Sequence, residues 1–307
     1  MSTPPQVSVV VLAYNSAAYL PVCLAELAKA RGVELEVLVV DNASADGSAD
    51  VAEASGLAHR VIRLERNLGC AGGNNVGWRA ASHPVVLFLN PDCVLAPDAI
   101  ALMAAPLLAD PGIGATGCRL RYPNSRTLQH AGGILHPNAM AEHVGMGEED
   151  RGQFDADRDV AYVTGAAMAV RRADLEALGG MDEEFFPAYY EETDLCTRLR
   201  RSGLRVVCVG AALGWHHESV GLSKGSSRFV ETSYRRRIIY LAKNYSVGDW
   251  LARFWPFELK WVLGPHARGF RGPWARSLGW GAVFAVKCLL RFNRRPGGVR
   301  ARLPGAK

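Results

Sequence analysis

Four short apolar runs rich in β-branched residues lie within the first ninety residues of the chain. They read VSVVVLA (7–13), LEVLVVD (35–41), VIRLE (61–65) and VVLFLN (85–90). Nearly continuous apolar runs are typical of strands covered on both faces, as in a parallel sheet. Segments with helical periodicity separate or follow these runs, at 19–31, 46–54, 74–81 and 97–109. The alternation predicts βαβ units and a doubly wound α/β sheet.

The pattern weakens in the middle of the chain and becomes helical at its end. Residues 123–159 are rich in Gly, His and acidic side chains with little periodicity, which predicts long loops over a cleft. A helix is expected at 191–203, ended by Gly203, with a strand after it. From Lys224 onward the pattern is helical and rich in Trp. We therefore expect an α/β domain over 1–223 and a helical C-terminal region over 224–307.

Charge separates the same two regions. Residues 1–223 contain 17 basic and 27 acidic side chains, whereas residues 224–307 contain 18 basic and 3 acidic ones. An asymmetry of this size indicates that the two regions have different partners.

Composition removes several classes of protein. The 307 residues are 49% hydrophobic and 21% charged, which excludes a disordered or collagen-like chain. Seven cysteines without a CxxC pair argue against a zinc ribbon or a disulfide framework and favour a reducing compartment. The start of the chain lacks the basic segment of a signal peptide. The longest late apolar stretch, 278–286, is shorter than the roughly 20 residues of a membrane span, so we expect no integral membrane protein.

Polar side chains follow several of the predicted strands. Asn15, Asp41 and Asn67 each lie at or just past a strand end, and the turn Asn90-Pro91-Asp92 follows the fourth strand. Ligands of open α/β sheets bind at the carboxyl ends of the strands. Two oxygen ligands spaced by one residue hold a hard divalent cation when phosphates complete the shell. The same Asn-Pro-Asp sequence also suits an ordinary β-turn, and both interpretations stay open.

The predicted helix at 191–203 has two carboxylates at its start. Helical phase places Glu192 on the apolar face with Leu195 and Leu199, and Glu191 and Asp194 on a solvated, salt-bridged face. A carboxylate among leucines is costly unless it has a function, which favours a general base in a cleft. A carboxylate that merely pairs with the helix dipole is the alternative.

Two further segments could take part in binding. His216 and His217 follow the strand near 204–210, and adjacent side chains of an extended segment point opposite ways, so only one is expected to face a metal site. The segment RNLGCAGGNNVG, 66–77, precedes or begins a helix and offers free N–H groups to an anion. Its glycine spacing matches no common nucleotide-binding fingerprint.

Taken together and in order, these motifs resemble inverting glycosyltransferases of family 2 with the GT-A fold, in particular the bacterial rhamnosyltransferase-like branch. The resemblance extends from about Val7 to Tyr245. The motifs that carry it are VSVVVLAYNS, VVDNASADGS, RNLGCAGGNNVG, FLNPDC, TGAAMAVRR, GGMDEEFFPAYYEETDLCTRLRRSG and HHES.

The resemblance implies a set of site residues. Glu192 takes the position of the catalytic base, and Asp92 with His216 or His217 takes that of the ligands of Mg²⁺ or Mn²⁺. Glu191 and Asp194 are expected at the acceptor. The expected donor-binding residues are Tyr14, Asn15, Asp41, Arg66, Asn67, Gly72, Asn74, Asn90 and Asp92. Two positions depart from the family pattern: Asn90 stands where the first acid of the D-x-D motif is usual, and Glu192 stands where Asp is usual.

The implied reaction transfers a sugar, such as rhamnose, from a nucleotide-diphosphate donor to a hydroxyl of a glycan or lipid-linked acceptor in surface polysaccharide synthesis. The alternatives are a nucleotide-sugar hydrolase and a non-catalytic nucleotide-sugar-binding subunit of a membrane complex. Because residues 224–307 are basic and contain five of the seven Trp, we expect a cytoplasmic protein held peripherally on an anionic membrane. No nucleic-acid module is recognisable, so no nucleic-acid partner is expected. The sequence leaves the oligomeric state open.

Overall fold

The computed structural model describes residues 3–217, 227–264 and 271–292, with side chains left undescribed at 227, 228 and 282–292. Ten strands of the described chain form one mixed sheet, and two form a separate hairpin. The strands are β1 Gln6–Ala13, β2 Glu34–Asp41, β3 Arg60–Arg63, β4 Val85–Leu89, β5 Cys93–Leu95, β6 Ile113–Arg121, β7 Leu128–His130, β8 Gly133–Leu135, β9 Ala141–His143, β10 Arg158–Asp159, β11 Ala167–Arg171 and β12 Arg205–His216.

Helices cover both faces of the sheet and then continue alone to the end of the described chain. They are α1 Leu20–Leu27, α2 Ser48–Ala54, α3 Gly69–Ala80, α4 Ala99–Ala109, α5 Arg172–Leu178, α6 Glu191–Arg201, α7 Ser227–Asn244, α8 Val247–Asp249, α9 Trp255–Leu263 and α10 Arg271–Phe292. A 3₁₀ turn, Glu183–Phe185, precedes α6, and a π-helical turn, Trp250–Phe254, joins α8 to α9.

The four predicted strands are confirmed and form the parallel part of the sheet. The spatial order is β10-β12-β6-β11-β4-β1-β2-β3, with β1, β2, β3 and β4 parallel to one another. Val9, Val10 and Val11 of β1 are fully buried, so both faces of the strand are covered. Because parallel strands end at the same edge, the residues after β1, β2 and β4 lie side by side.

Helix α3 lies unusually close to this edge because it contains glycines on the side that faces β1. A Cβ atom at Gly73 would lie 2.3 Å from Leu12 Cδ1, and one at Gly77 would lie 2.2 Å from Val10 Cγ1. Larger residues at these two positions would push the helix away from the strand. The glycine-rich sequence therefore serves helix packing.

The prediction of long loops over 123–159 is wrong in part. This segment contains four short strands: β7 pairs with β6, β8 pairs with β9, and β10 pairs with β12. Each strand has only two or three residues, too few for a recognisable alternation along the sequence. Their pairing depends on partners elsewhere in the chain.

The C-terminal region is helical where it is described. Helix α7 covers α6, and α10 packs against α7. The expected boundary at 223/224 lies outside the described residues, as does 293–307. Among the described helices, none has both the length and the apolar character to span a membrane.

Candidate functional site

Hydrogen bonds from backbone N–H groups to side-chain oxygens join the loops that follow β1 and β2. The Asn15 N–H donates to Ser44 Oγ at 3.0 Å, and Asn15 Oδ1 accepts from the Ala45 N–H at 2.9 Å. Asn15 has a left-handed φ of 51°, which Asn tolerates better than most residues. Tyr14 beside it is 49% exposed. These loops lie side by side at the strand ends, and we call the space beside them the groove.

Asp41, the last residue of β2, lies at the bottom of this groove. It is 5% exposed, and its Oδ2 accepts from the Ser44 N–H at 3.2 Å. Its Oδ1 is buried without a hydrogen-bond partner. A buried carboxylate oxygen without a donor is costly, so Asp41 Oδ1 is available to accept a hydrogen bond from a ligand.

Two asparagines fix the loop before α3. Asn42 donates to Asn67 Oδ1 at 3.1 Å, and its own Oδ1 accepts from the Leu68 N–H at 2.8 Å. Asn67 Oδ1 also accepts from the Gly69 N–H at 2.7 Å. Asn42 was missing from our predicted site, although it directly follows Asp41 in the same motif. Because its amide satisfies backbone groups, its contribution is to hold the groove wall in place.

The other residues expected at the donor have mixed placements. Arg66 is exposed at the groove rim. Asn74 is 6% exposed and its amide lies 3.5 Å from Cys70 Sγ. Gly72 is buried, and a Cβ there would lie 2.7 Å from Leu68 Cβ, so this glycine faces protein. Asn75 is buried and bonds Met181 and Trp78, and is therefore a structural residue.

The Asn-Pro-Asp turn meets the end of β12, which brings Asp92 next to a histidine. His216 Nε2 lies 3.2 Å from Asp92 Oδ1 and 3.4 Å from Asn90 Nδ2. Asp92 and His216 are 6% and 8% exposed. The neighbouring His217 is exposed and turns its ring toward Tyr19, with ring centroids 5.7 Å apart. Of the two histidines, His216 is the one that faces Asp92.

Gln129 of β7 determines which nitrogen of His216 carries the hydrogen. Its amide nitrogen donates to the His216 carbonyl oxygen at 3.2 Å, so its Oε1 is the atom that lies 2.8 Å from Nδ1. Nδ1 therefore donates to Gln129, and Nε2 is the nitrogen that faces Asp92 and Asn90. With the hydrogen on Nδ1, a neutral ring would offer the Nε2 lone pair to a cation held by Asp92.

These residues fit a divalent cation that is also held by its substrate. Asp92 and His216 provide one oxygen and one nitrogen ligand, and Asn90 adds an amide group. No group of three or more His, Cys, Asp or Glu suited to a metal occurs among the described residues. The donor set is thus incomplete without further oxygens, which a nucleotide diphosphate would supply.

Residues 165 and 166 connect the Asn-Pro-Asp turn to Glu192. The Asn90 N–H donates to the Ala166 carbonyl oxygen at 3.0 Å, and a Cβ atom at the adjacent Gly165 would lie 3.7 Å from Glu192 Cβ and Cγ. Glu192 is half-buried and accepts from Thr193 Oγ1 at 3.3 Å. Burial raises the pKa of Glu192 above its ordinary value. A half-buried carboxylate of raised pKa suits proton acceptance near neutral pH.

Glu191 is the more enclosed carboxylate of the pair. It is 5% exposed, and its Oε2 is buried without a hydrogen-bond partner. Burial and the neighbouring charge of Glu192 both raise the pKa of Glu191, which the positive charge of Arg236 opposes. Arg236 is half-buried, with its Nε buried and unpartnered, and was not among the predicted residues.

The prediction that Glu191 and Asp194 lie on a solvated face of α6 is wrong because both are buried, whereas the salt bridge predicted on this face is present. Asp194 is 2% exposed, bonded to Arg198 Nε at 2.7 Å and to Asn244 Nδ2 at 2.8 Å. Helix α7 covers this face of α6. The sequence of α6 alone could not indicate this, because α7 is a separate segment of the chain. Asp194 thus joins two helices, and its expected contact with an acceptor stays a prediction.

Comparison with known proteins assigns the chain to a family. The model of glycosyl transferase family 2 matches residues 8–179, more than half of the chain. The chain belongs to this family. The matched segment contains Asp41, Asp92 and Gln129, and it ends before α6.

Similarity to individual proteins extends further along the chain. The N-acetylglucosaminyl-diphospho-decaprenol L-rhamnosyltransferase of Mycobacterium tuberculosis is 27% identical over 311 residues, which cover 94% of this chain and 95% of that protein. The O-antigen biosynthesis protein RfbC of Myxococcus xanthus is 30% identical over 68% of this chain, which spans only 17% of that protein's length.

A solved structure confirms the predicted GT-A fold. The mannosyltransferase PcManGT from Pyrobaculum calidifontis, determined with GDP-Man and Mn²⁺, superposes with a TM-score of 0.60. The match covers 95% of this chain and 80% of that one at 20% identity. At this level of identity the likeness concerns the fold.

Proposed function

We propose that this protein is an inverting glycosyltransferase that moves a sugar of the rhamnose type from a nucleotide-diphosphate donor to a lipid-linked glycan acceptor. The observation that carries the proposal is that Asp41 ends β2 and Asp92 follows β4 at the same edge of the sheet, with Asp92 3.2 Å from His216. The mycobacterial relative, whose name states such a reaction, matches almost the whole chain. The place of action would be the cytoplasmic face of the membrane, where surface polysaccharides are started.

The donor nucleotide would lie in the groove between the loops after β1 and β2. Asp41 Oδ1 would accept a hydrogen bond from the base or ribose, which removes its lack of a partner. Asn15 and Asn67 keep the groove open through their bonds to the backbone. The diphosphate would then reach the turn that contains Asp92.

Asp92 and His216 would hold Mg²⁺ or Mn²⁺, with Asn90 beside them. The chemistry supplied by a bound divalent cation is neutralisation of the charge that develops on the leaving diphosphate. Because Asn90 is neutral, Asp92 is the one carboxylate of the motif, and we expect it to be essential.

Glu192 would act as the general base. The acceptor hydroxyl gives its proton to a Glu192 carboxylate oxygen, and the hydroxyl oxygen forms a bond to the anomeric carbon. The bond from that carbon to the diphosphate breaks on the opposite side, so the anomeric configuration inverts. Burial and the charge of Glu192 raise the pKa of the neighbouring Glu191, and its protonation would limit the negative charge beside the acceptor.

Thermal-shift measurements with UDP-, dTDP- and GDP-sugars, each with and without Mn²⁺, test the proposal. At least one sugar nucleotide should raise the melting temperature by several degrees, and only when Mn²⁺ is present. Asp92→Ala should remove the shift, whereas Asn90→Asp should keep or increase it because a second charge joins the site. Sugar transfer at full rate in excess EDTA, or the absence of any shift across the panel, would refute it.

A further inference from the structure

Five apolar side chains at intervals of four residues form an exposed row along α8, the π-helical turn and α9. We call them the apolar row: Val247, Leu251, Trp255, Leu259 and Leu263, which are 77%, 66%, 38%, 50% and 75% exposed. In the described structure this row faces solvent, and contiguous exposed apolar surface of this kind marks an interaction site.

The opposite side of the same segment fixes its orientation. Phe254 and Glu258 are fully buried, and Glu258 bonds the Arg237 guanidinium at 2.5 and 2.9 Å. Asn138 Nδ2 and Trp274 Nε1 also donate to Glu258. The segment therefore buries a charged residue and exposes leucines. An ordinary surface helix does the opposite, with its apolar residues toward the core and its charged residues toward water. Turning the row inward would expose this buried ion pair.

The π-helical turn keeps the row on one side. Every fourth residue of an α-helix advances by about 40° around the axis, so a row over five such positions would wind around it. The turn Trp250–Phe254 is wider than an α-helical turn and reduces this drift between Leu251 and Trp255. Pro256, in the first turn of α9, has no N–H to donate to the helical hydrogen-bond pattern, which is consistent with the π-helical turn just before it.

Cations border the row. Arg253 and Lys260 are exposed on the same segment, and the exposed Arg271 donates to the Val262 carbonyl oxygen at the end of α9. The half-buried acid of the segment, Asp249, is paired with Arg253 at 3.3 Å. An apolar stripe flanked by Arg and Lys and containing Trp is typical of helices that lie in a membrane interface.

We propose that the apolar row docks the protein on an anionic lipid bilayer; this inference rests on the proposed lipid-linked acceptor. Leucine and tryptophan side chains would enter the headgroup boundary while Arg253, Lys260 and Arg271 contact lipid phosphates. A second copy of this chain is a poorer occupant, because a symmetric contact would bring the same cations together. The bilayer provides both the apolar and the anionic surface.

Vesicle co-sedimentation of the full chain tests the proposal. The probe is vesicles of phosphatidylcholine mixed with phosphatidylglycerol, compared with vesicles of phosphatidylcholine alone. The wild type should pellet with the anionic vesicles, less so at high salt. Leu251→Glu/Leu263→Glu should lower the bound fraction at least tenfold. The matched control Val22→Glu/Leu108→Glu changes the charge equally at side chains 56% and 49% exposed in the α/β domain, and should bind like the wild type.

A second measurement locates the contact directly. Brominated lipids should quench the fluorescence of the wild type more than that of Trp255→Phe. Equal pelleting of the two double variants, or wild-type protein that ignores anionic vesicles, would overturn the proposal, as would a dimer that only the row variant dissociates. Because vesicle binding needs no donor or acceptor, its failure is separable from failure of the proposed sugar transfer.

Discussion

The edge of the sheet and the C-terminal helices differ in whether their buried acidic groups have hydrogen-bond partners within the protein. At the sheet edge and at the start of α6, Asp41 Oδ1 and Glu191 Oε2 are buried without a protein donor, and His216 Nε2 lies 3.2 Å from Asp92 Oδ1. In the C-terminal helices, Glu258 is fully buried but receives hydrogen bonds from three side chains. The two regions also differ in their apolar side chains: the valines of the sheet are buried, whereas the leucines of α9 are exposed.

This difference distinguishes buried polar groups that are available to a ligand from buried polar groups that stabilise the structure. A buried charge without a partner lowers stability and persists where a ligand satisfies it. A buried pair with complete hydrogen bonds specifies how helices join. Substitutions at the sheet edge should therefore affect chemistry more than folding, and those at the Glu258 cluster should affect folding more than chemistry.

The largest effect on activity is expected at Glu192. Glu192→Gln keeps the shape but cannot accept a proton, so turnover should fall by a factor on the order of 10² to 10⁴, with nucleotide-sugar affinity within a few-fold. Wild-type turnover should also fall as the pH drops below the raised pKa of Glu192. Steady-state rates of the wild type and of Glu192→Gln, measured across pH, test both expectations. If Glu191→Gln is the inactive variant instead, Glu191 is the base.

The buried ion pair should dominate stability. Arg237→Met leaves the buried Glu258 carboxylate without its cation, with only the hydrogen bonds from Asn138 and Trp274, which should lower the free energy of unfolding by about 3–5 kcal/mol. Adding Glu258→Gln should recover much of this loss because the buried charge is removed. Arg253→Met, at an exposed pair, is the matched control and should change little. Urea unfolding measures all three, and an equal loss in the control would contradict the contrast.

Gln129 should act on the metal site through His216. Gln129→Leu removes the acceptor of Nδ1, so the ring loses its fixed orientation and Mn²⁺ affinity should fall roughly 10- to 100-fold. Gln153→Leu, at an exposed glutamine, provides the control. Electron paramagnetic resonance of Mn²⁺ reports affinity without an activity assay. Unchanged affinity in Gln129→Leu would remove Gln129 from the site.

The smallest effect concerns the stability contributed by Glu191 as the pH changes. Its pKa is raised in the folded protein, so the protonated form favours folding. That contribution is complete below the ordinary value of 4.5 and is lost as the pH rises through the raised pKa. Glu191→Gln stays neutral, so its melting temperature should exceed that of the wild type increasingly at higher pH. Parallel melting curves at all pH values would contradict this.

Much of the fold could be predicted because it depends on local patterns. The runs at β1, β2 and β4 are mostly buried on both faces, which is the environment that a continuous apolar sequence predicts, whereas β3 at the edge of the sheet is only partly buried. Gly203, with a φ of 90°, ends the region of α6 as expected. The strands β7–β10 escaped prediction because two or three residues carry no periodicity.

The site was predicted in its chemistry but not in its contacts. Strand ends and motifs identified Asp41, Asp92 and Glu192, because residue type and position past a strand are properties of the sequence. Gln129 had no signal, since its role depends on β7 pairing beside the end of β12. Helical phase was right about Leu195 and Leu199, which are buried, but could not show that Asp194 would be covered by α7.

The sequence by itself determined the α/β class, the strand ends that carry the polar groups, and the division between an acidic and a basic region. Each of these follows from periodicity, residue type or charge along a short stretch of chain. Only the tertiary structure decided that His216 faces Asp92 and that Glu258 is buried while the apolar row is exposed. These outcomes depend on side chains that meet from distant segments, and the free energy of such contacts is not a property of either segment alone.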